Sequence, residues 1–284
     1  MTTKADQLTA VVTEHGEGPV WDVDLDALRL VDMLRGDVLT LRGGVVVERQ
    51  NFGAIAAVWR PRLGGGSVVA VEQGFCLVTA DGERELLPPV LHDPSVRMNE
   101  GGCDPQGRFY CGSMGYESTP GAGSLFRLDP DRSVRRVLPE VTISNGLAWS
   151  PDGARVFYVD TPTGRIDVFD FEPSDGSVSG RRPFAVIEES DGMPDGITVD
   201  TEGGVWVALF GGGEVRRYGP SGSLDEIVSV PTPQPTACTF GGEDVQRLFI
   251  TTSSDGLQHP DEFAGAVFTC SPGARGLPVL PFHG

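Results

Sequence analysis

An all-β fold is predicted by two features of the sequence: helix signals are scarce, and strand signals recur along the whole chain. Few windows of a dozen residues keep an apolar stripe at helical spacing without an intervening Gly or Pro. Short segments rich in β-branched or aromatic residues recur instead, each after a turn rich in Pro, Asp or Gly. These segments are LRLVD, SVVAVE, RFYCGSM, RVFYVD, GVWVALF and RLFITT.

A second pattern follows each of these segments, a glycine that opens an alternating strand. The glycines are Gly36, Gly74, Gly123, Gly164, Gly213 and Gly265, at spacings of 38, 49, 41, 49 and 52 residues. Repeats of about 40–50 residues that each hold about four strands are typical of a β-propeller. A sandwich or a parallel α/β sheet fits less well, because neither needs six equivalent hairpin pairs. The sequence therefore predicts a six-bladed β-propeller.

The two ends of the chain fit closure of a ring. The sixth repeat runs out near Ala274, and the segment QLTAVVT, residues 7–13, is an additional strand before the first repeat. We expect this N-terminal strand to complete the last blade and so remove an exposed sheet edge. Residues 1–284 are predicted to form a single domain.

The charge balance limits the possible partners. Lys and Arg total 22 and Asp and Glu total 40, which gives a net charge of −18. Such a field repels phosphate backbones and anionic membranes, so neither nucleic acid nor membrane is an expected partner. No apolar stretch approaches the ~20 residues of a membrane span, and the N-terminus lacks a signal-peptide core, so a cytoplasmic protein is expected. The five cysteines form no CxxC pair and are expected to be reduced and mostly buried.

Four repeats carry a polar, oxygen-bearing side chain five residues before a turn residue. These are Glu17, Asn99, Asn145 and Asp195, ahead of Asp22, Asp104, Ser150 and Asp200. The same offset in four blades places the side chains at one level, where the innermost strands line the central channel. Glycine follows three of them and permits close backbone approach or a bend. The other two repeats offer Thr236 and the apolar segment around Ala54, so the polar cluster faces one side of the channel.

Two carboxylates in a narrow channel repel each other unless a positive charge joins them. A divalent cation would satisfy Glu17 and Asp195, with a neutral oxygen from Asn145. These hard oxygen donors favour calcium, magnesium or manganese, while zinc remains possible. Three protein ligands leave positions open for water and substrate, which points to catalysis. The alternative is that these residues make turn or cap hydrogen bonds at strand starts.

Several long segments resemble the SMP-30/gluconolactonase family, also called the regucalcin-like family, in order and over nearly the whole chain. They are GEGPVWD, RMNEGGCDPQGRFYCGSM, NGLAWSPDG, DGMPDGITVDTEGGVWVA and PTACTFGG. The resemblance implies a six-bladed propeller with one divalent metal in its channel and, in many members, hydrolysis of sugar lactones. It assigns the metal ligands to Glu17, Asn145 and Asp195, and the acid/base role to Asp195. It assigns the substrate contacts to Arg97, Asn99 and Glu117.

The chain departs from the family in one motif. The usual Asn-Asp-Gly-Lys run reads Asn99-Glu100-Gly101-Gly102, so a lysine expected at the rim is missing. Other interpretations stay open for three residues: Arg97 as a rim arginine paired with Glu100, Glu117 as a solvated loop residue, and His15 as a structural histidine. The last repeat after ITTSSD matches loosely.

Three functions remain open at this point. The first is metal-dependent hydrolysis of an aldonolactone such as gluconolactone, with a small sugar lactone as partner and a monomer or small homo-oligomer as the assembly. The second is a metal-dependent propeller hydrolase for phosphotriesters or other esters. The third is a calcium-binding or scaffold protein without turnover. The sequence contains no GxSxG, HExxH or GxxxxGK signature of other hydrolases or nucleotide-binding proteins.

Overall fold

The computed structural model describes residues 2–284 as six sheets whose innermost strands contact one another in a closed ring. The fold is the predicted six-bladed β-propeller. Each sheet is an up-and-down antiparallel meander of four strands, and the sheet of blade five carries one further strand. Among residues 2–284 the helices are three-residue 3-10 turns at Met33–Arg35, Thr161–Thr163 and Glu189–Asp191. None of these helices is long or apolar enough to cross a membrane.

Blades one to three hold strands β3 to β14, four to a blade, counted outward from the channel. Blade one comprises β3 Gly16–Asp22, β4 Ala27–Asp32, β5 Asp37–Arg42 and β6 Val45–Asn51. Blade two comprises β7 Ala56–Pro61, β8 Ser67–Val71, β9 Gly74–Val78 and β10 Arg84–Leu86. Blade three comprises β11 Val96–Cys103, β12 Phe109–Gly115, β13 Gly123–Leu128 and β14 Val134–Val141.

Blades four to six hold the remaining strands, and the N-terminus contributes β1 Thr2–Lys4 and β2 Asp6–Gln7. Blade four comprises β15 Ser144–Trp149, β16 Arg155–Asp160, β17 Arg165–Glu172 and β18 Ser177–Val186. Blade five comprises β19 Met193–Val199, β20 Val205–Phe210, β21 Glu214–Tyr218, β22 Leu224–Ser229 and, parallel to β22, β1. Blade six comprises β23 Pro235–Gly241, β24 Arg247–Thr252, β25 Phe268–Cys270 and β2. Five of the six glycines of the repeat pattern open or directly precede a third strand, as predicted, and Gly265 lies three residues before β25.

The N-terminus closes the ring differently from the prediction for residues 7–13. The paired strand is only Asp6–Gln7, against Thr269 and Phe268 in β25. Beyond it the ladder stops because the Thr9 hydroxyl, instead of a backbone carbonyl, accepts the Val267 N–H at 2.9 Å. Residues 8–13 then follow blade six through separate hydrogen bonds to the carbonyls of residues 265 and 267. Because β1 also joins blade five, the N-terminal segment connects two blades.

The pairing between the first and second strands is interrupted in all six blades. The register shifts fall between Glu17 and Val20, Ala56 and Val58, Met98 and Gly101, Ser144 and Leu147, Pro194 and Ile197, and Pro235 and Ala237. A bulge of this kind bends the strand and redirects the side chains beside it. The interruptions therefore mark one level of the channel, and the four predicted polar residues lie at that level.

The turns five residues further on hold the opposite end of each inner strand. In blade five, Asp200 accepts hydrogen bonds from its own turn and from Trp206, and it pairs with Arg217 at 2.7 Å. Asp104 makes the matching contacts in blade three with Arg108 and Tyr110. The constant offset thus pairs a turn-stabilising residue at one end of the strand with a channel-lining residue at the other.

The C-terminal segment, residues 275–284, crosses this far end of the channel. Its first part bonds to the turns of blades five and six through Arg275 and Gly276. Its last part bonds to the turns of blades two and three through Phe282 and His283, and Phe282 is fully buried. These blades lie on opposite sides of the ring, so the segment spans it. A cavity of about 320 Å³ lies between the segment and the inner strands.

Candidate active site

Five of the six predicted site residues lie buried at the polar end of the channel. Glu17, Arg97, Asn99, Asn145 and Asp195 each expose between 2% and 8% of their surface. They come from the inner strands of blades one, three, four and five. The geometry brings together side chains that are up to 178 residues apart in the chain, 195 − 17 = 178.

A chain of hydrogen bonds joins blades three and four across this level. Arg97 Nη1 donates to Asn99 Oδ1 at 2.7 Å. Asn99 Nδ2 donates to Asn145 Oδ1 at 2.8 Å and to the Ser144 carbonyl at 2.9 Å. Asn145 Nδ2 in turn donates to Thr161 Oγ1 at 2.8 Å. Each amide has its oxygen toward a donor and its nitrogen toward an acceptor, so the network determines both amide orientations.

The hydrogen bonds of Asn99, Asn145 and Arg97 show which of their atoms are left to contact a ligand. Both N–H groups of the Asn99 amide are used within the protein, which leaves one lone pair on its oxygen for a substrate hydroxyl. Asn145 Oδ1 accepts one bond and retains a lone pair that could bind a cation. The hydrogen bonds of Arg97 all run from Nη1. Its other nitrogens could therefore contact a ligand.

Glu17 lies beside His15 and the start of blade six. Glu17 Oε2 accepts the Gly18 N–H at 3.1 Å, and Oε1 lies 3.8 Å from His15 Nε2. Burial raises the pKa of Glu17 to about 7, although the Gly18 N–H and Arg97 oppose that rise. Burial, and then the charge of Arg97, lowers the pKa of His15 to about 3, so the imidazole is neutral. Its Nδ1 is 2.8 Å from the Ser253 hydroxyl, a contact that orients the ring.

Among residues 2–284, Asp195 has an oxygen with no hydrogen-bond partner. Its Oδ1 is buried and unpaired. Burial raises the pKa of Asp195 well above its usual range, and the carboxylates of Glu17 and Glu100 raise it further. A buried carboxylate with an unpaired oxygen is costly unless something outside the protein chain satisfies it.

Glu100 belongs to this group of carboxylates, although the sequence reasoning gave it no site role. It is buried, and its Oε2 also has no hydrogen-bond partner. Burial raises the pKa of Glu100 well above its usual range, Glu17 raises it further, and Arg60 opposes the rise. The alternative pairing of Arg97 with Glu100 is wrong, because Arg97 bonds to Asn99 instead. A signal was present: in NEGG, Glu100 occupies the position that glycine holds after Asn145 and Asp195.

The remaining predicted positions lie away from this network. Glu117 is exposed in the loop between β12 and β13, so its substrate contact stays a prediction. Gly102 lines the cavity at the far end of the channel, so the position of the missing lysine is not at the rim. Thr236 is buried and donates to the Gly16 carbonyl, joining blades six and one. In blade two the equivalent position is Ala57, not the exposed Ala54.

The glycines after two of the polar residues are required by close contact between blades. A Cβ atom on Gly146 would lie 2.7 Å from the Asp195 carbonyl oxygen, and one on Gly196 would lie 2.8 Å from Ala237 Cα. Real Cβ atoms do not approach backbone so closely. These glycines therefore let the inner strands of blades four, five and six meet at the level of the site.

The donor set fits a divalent cation. Glu17, Asn145 and Asp195 offer oxygen atoms only, which suits hard cations. The buried Oδ1 of Asp195 and Oε2 of Glu100 have no hydrogen-bond partner among residues 2–284. In the same range no three His, Cys, Asp or Glu side chains form a metal-binding group, so a cation site here depends on the amide oxygen of Asn145.

Comparison with known proteins places this chain in a family. Residues 15–254 match the model of the SMP-30/Gluconolactonase/LRE-like region, and this range contains every predicted site residue. The chain belongs to the SMP-30/gluconolactonase/LRE-like family.

Members of the family are similar to this chain over most of its length. Regucalcin from Bos taurus is 33% identical over 289 residues, which cover 95% of each chain. The Bacillus subtilis protein YvrE, provisionally named a sugar lactone lactonase, is 32% identical and covers 95% of each chain. The solved structure of regucalcin from Agrobacterium tumefaciens, described as a calcium-binding protein, has a TM-score of 0.92 at 24% identity. It covers 100% of this chain and 99% of its own, and at that identity it supports the fold.

Proposed function

We propose that the protein is a lactonase that hydrolyses a sugar lactone, an aldonolactone such as gluconolactone, to the open-chain acid with the aid of a divalent cation. The observation that carries the proposal is the buried group of Glu17, Asn145 and Asp195, in which Asp195 Oδ1 has no partner. The names of the relatives support the substrate class. The net charge of −18 suits a small neutral substrate better than a polyanion.

Glu17, Asn145 and Asp195 would hold the cation, with calcium, manganese, magnesium or zinc as candidates. A bound divalent cation would polarise the ester carbonyl and lower the pKa of water in the site. Lactone hydrolysis passes through a tetrahedral oxyanion, which a positive charge stabilises.

Asp195 supplies the proton-transfer group of the proposed reaction. In its carboxylate form, Oδ1 is free to accept a proton from the attacking water, since no protein donor occupies it. The same carboxyl can return the proton to the ring oxygen as the ester bond breaks. Its position at the buried polar end of the channel, with Oδ1 free of protein donors, favours this role.

Arg97 and Asn99 bind and orient the substrate in this proposal. The guanidinium can donate charge-assisted hydrogen bonds to sugar hydroxyls. Asn99 can accept one further hydrogen bond at Oδ1. Glu117, on its exposed loop, would contact a hydroxyl at the outer edge of the pocket.

A lactone panel led by glucono-1,5-lactone tests the proposal. Metal-stripped protein would be assayed after addition of calcium, manganese, magnesium or zinc, beside Asp195→Asn. We expect activity only with a cation, and a kcat at least about 100-fold lower in the variant. Asp24→Asn, which removes the same charge from an exposed turn residue, is the matched control and should keep full activity.

The assay also separates the alternative functions. Cation binding without turnover of any lactone would contradict the lactonase proposal. Hydrolysis of phosphotriesters or simple esters would then favour the broader hydrolase. Tight cation binding without any hydrolysis would favour a binding role.

A further inference from the structure

The Thr161 hydroxyl bridges the two blades that carry Asn145 and Asp195. Thr161 is buried at the first position of the 3-10 helix after β16. Its Oγ1 accepts the hydrogen bond from Asn145 Nδ2 at 2.8 Å. The same hydroxyl donates to the Pro194 carbonyl at 2.9 Å. The Thr161 side chain thus contacts the predicted ligand Asn145. It also contacts the backbone of Pro194, the residue before the predicted ligand Asp195.

The first bond determines which atom Asn145 presents to the site. With Thr161 as acceptor for Nδ2 and Asn99 as donor to Oδ1, the amide has one satisfied orientation. A flipped amide would set two NH₂ groups against each other at Asn99. The flip would also draw the Thr161 hydroxyl away from Pro194, because that hydroxyl has one proton to donate. Only the observed orientation turns an oxygen toward a cation.

The second bond fixes blade five where its pairing is interrupted. The register of β19 against β20 breaks between Pro194 and Ile197, so Asp195 lies in a stretch without ladder hydrogen bonds. The Thr161 hydroxyl holds the carbonyl at the start of that stretch. The Asp195 carboxylate therefore depends on a contact from blade four for its position.

Blade one shows that the repeat itself does not require this hydroxyl. Met33 occupies the equivalent position, directly after Asp32, and its N–H bonds to the His15 carbonyl as the Thr161 N–H bonds to Ile143. Met33 offers only a sulfur atom, 3.2 Å from Arg97 Nη1. The backbone turn is the same in both blades, but of the two only blade four carries a hydroxyl at this position.

We propose that Thr161 is a positioning residue that sets the cation-binding geometry of Asn145 and Asp195. This inference rests on the proposed function, because it assigns those two residues to the cation.

The test measures cation affinity directly, by calorimetric titration of metal-free protein with calcium and with manganese. Thr161→Val keeps the shape of the side chain and removes the hydroxyl. We expect it to weaken cation binding by about 10–100-fold, as changes in groups that orient ligands do. Thr161→Ser restores the hydroxyl and should stay within about threefold of the wild type. In lactone assays at saturating cation, the kcat of Thr161→Val should recover toward the wild-type value.

Thr252→Val is the matched control for loss of a buried hydroxyl. Thr252 Oγ1 accepts the Gly265 N–H and donates to the Ala266 carbonyl within blade six. Its loss should lower the melting temperature as much as Thr161→Val does, without a change in cation affinity. If Thr161→Val fails to fold, Thr161→Cys replaces the hydroxyl with a weak acceptor of similar size and should show the same loss.

A double-mutant cycle with Asn145→Asp isolates the amide orientation. A carboxylate has no nitrogen to misplace, so Thr161→Val should cost less affinity in that background. Unchanged affinity in Thr161→Val, or equal losses in the Val and Ser variants, would overturn the inference while the proposed function stands. A wild-type protein that binds no divalent cation would overturn both, and a wild type that binds a cation without turnover would overturn the catalytic proposal alone.

Discussion

Asp32 and Asp160 support the candidate site from equivalent positions at the ends of second strands. Each accepts backbone N–H groups from the residues three and two positions before a predicted ligand, Glu17 in blade one and Asn145 in blade four. Those residues directly precede the inner strand, where the ladder has not yet formed. A buried aspartate therefore replaces the missing hydrogen bonds and fixes the approach of each ligand strand.

Glu100 makes the stability of the metal-free protein depend on pH. Its pKa is raised in the folded protein, so between the ordinary pKa and the raised one the native state holds a proton that the unfolded chain has released. Stability from this group is complete below the ordinary Glu pKa of about 4.3 and is lost as pH rises through the raised pKa. The slope for one proton is at most about 1.4 kcal/mol per pH unit.

We expect Glu100→Gln to remove that slope, because glutamine resembles the protonated acid and does not titrate. Urea unfolding of the metal-free protein at pH 5, 6, 7 and 8 measures it. The stability of the variant relative to the wild type should rise with pH. Glu83→Gln, at an exposed loop residue, should leave the wild-type profile unchanged. Parallel profiles for Glu100→Gln and the wild type would show that the carboxylate is solvated or already paired.

Thr161 and Glu100 also show what the sequence left undetermined at the residue scale. The departure from glycine after Asn99 marked Glu100 as unusual, but its burial beside the register shift of β11 is visible only in the fold. Thr161 lies 16 residues after Asn145 and 33 before Pro194. Its two contacts depend on how neighbouring blades meet, and no local pattern encodes that.

At the scale of elements, the bulged inner strand is the unit that builds the site. The sequence predicted the six strands and the level of their polar residues, because turn residues and apolar alternation are local signals. It did not predict the register shifts, which arise where strands of adjacent blades converge. The N-terminal strand was placed in the correct blade, but its bounds were wrong because a threonine hydroxyl ends the ladder early.

Gly196→Ala tests the close contact between blades five and six. The added methyl would meet Ala237 and the Thr236 carbonyl, so one of two strands must shift. We expect a loss of about 1–3 kcal/mol in the free energy of unfolding, and weaker cation binding through displacement of Asp195. Gly74→Ala is the control, because its Cβ would lie 3.5 Å from the nearest atoms. A Gly196→Ala protein as stable as the wild type would show that the inner strands of blades five and six can shift apart without loss of stability.

At the scale of the whole molecule, both termini tie the ring together. The N-terminus adds strands to blades five and six, and the C-terminal segment links blades five and six to blades two and three. A propeller has no covalent link between its first and last blades other than the chain that closes it. These two segments therefore restrain the opening of the ring from its edge and across its far end.

Phe282→Ala tests the C-terminal link. Phe282 is fully buried in the apolar cluster that spans blades one to three. We expect its truncation to cost about 3–5 kcal/mol in the free energy of unfolding, measured with denaturant. Leu63→Ala lies next to the same segment but is 64% exposed, and it should cost little. Equal small losses in both variants would mean that the segment contributes no packing energy.

The C-terminal segment across the far end of the channel also affects how substrate would enter and product would leave. It crosses that end of the channel, so in the proposed reaction the lactone would enter and the product would leave at the polar end. The lactone is neutral and the product is an anion, while the chain carries a net charge of −18. Its field would leave the incoming molecule unaffected and repel the outgoing one. This charge difference would therefore favour release of the anionic product after hydrolysis, and the repulsion weakens with added salt.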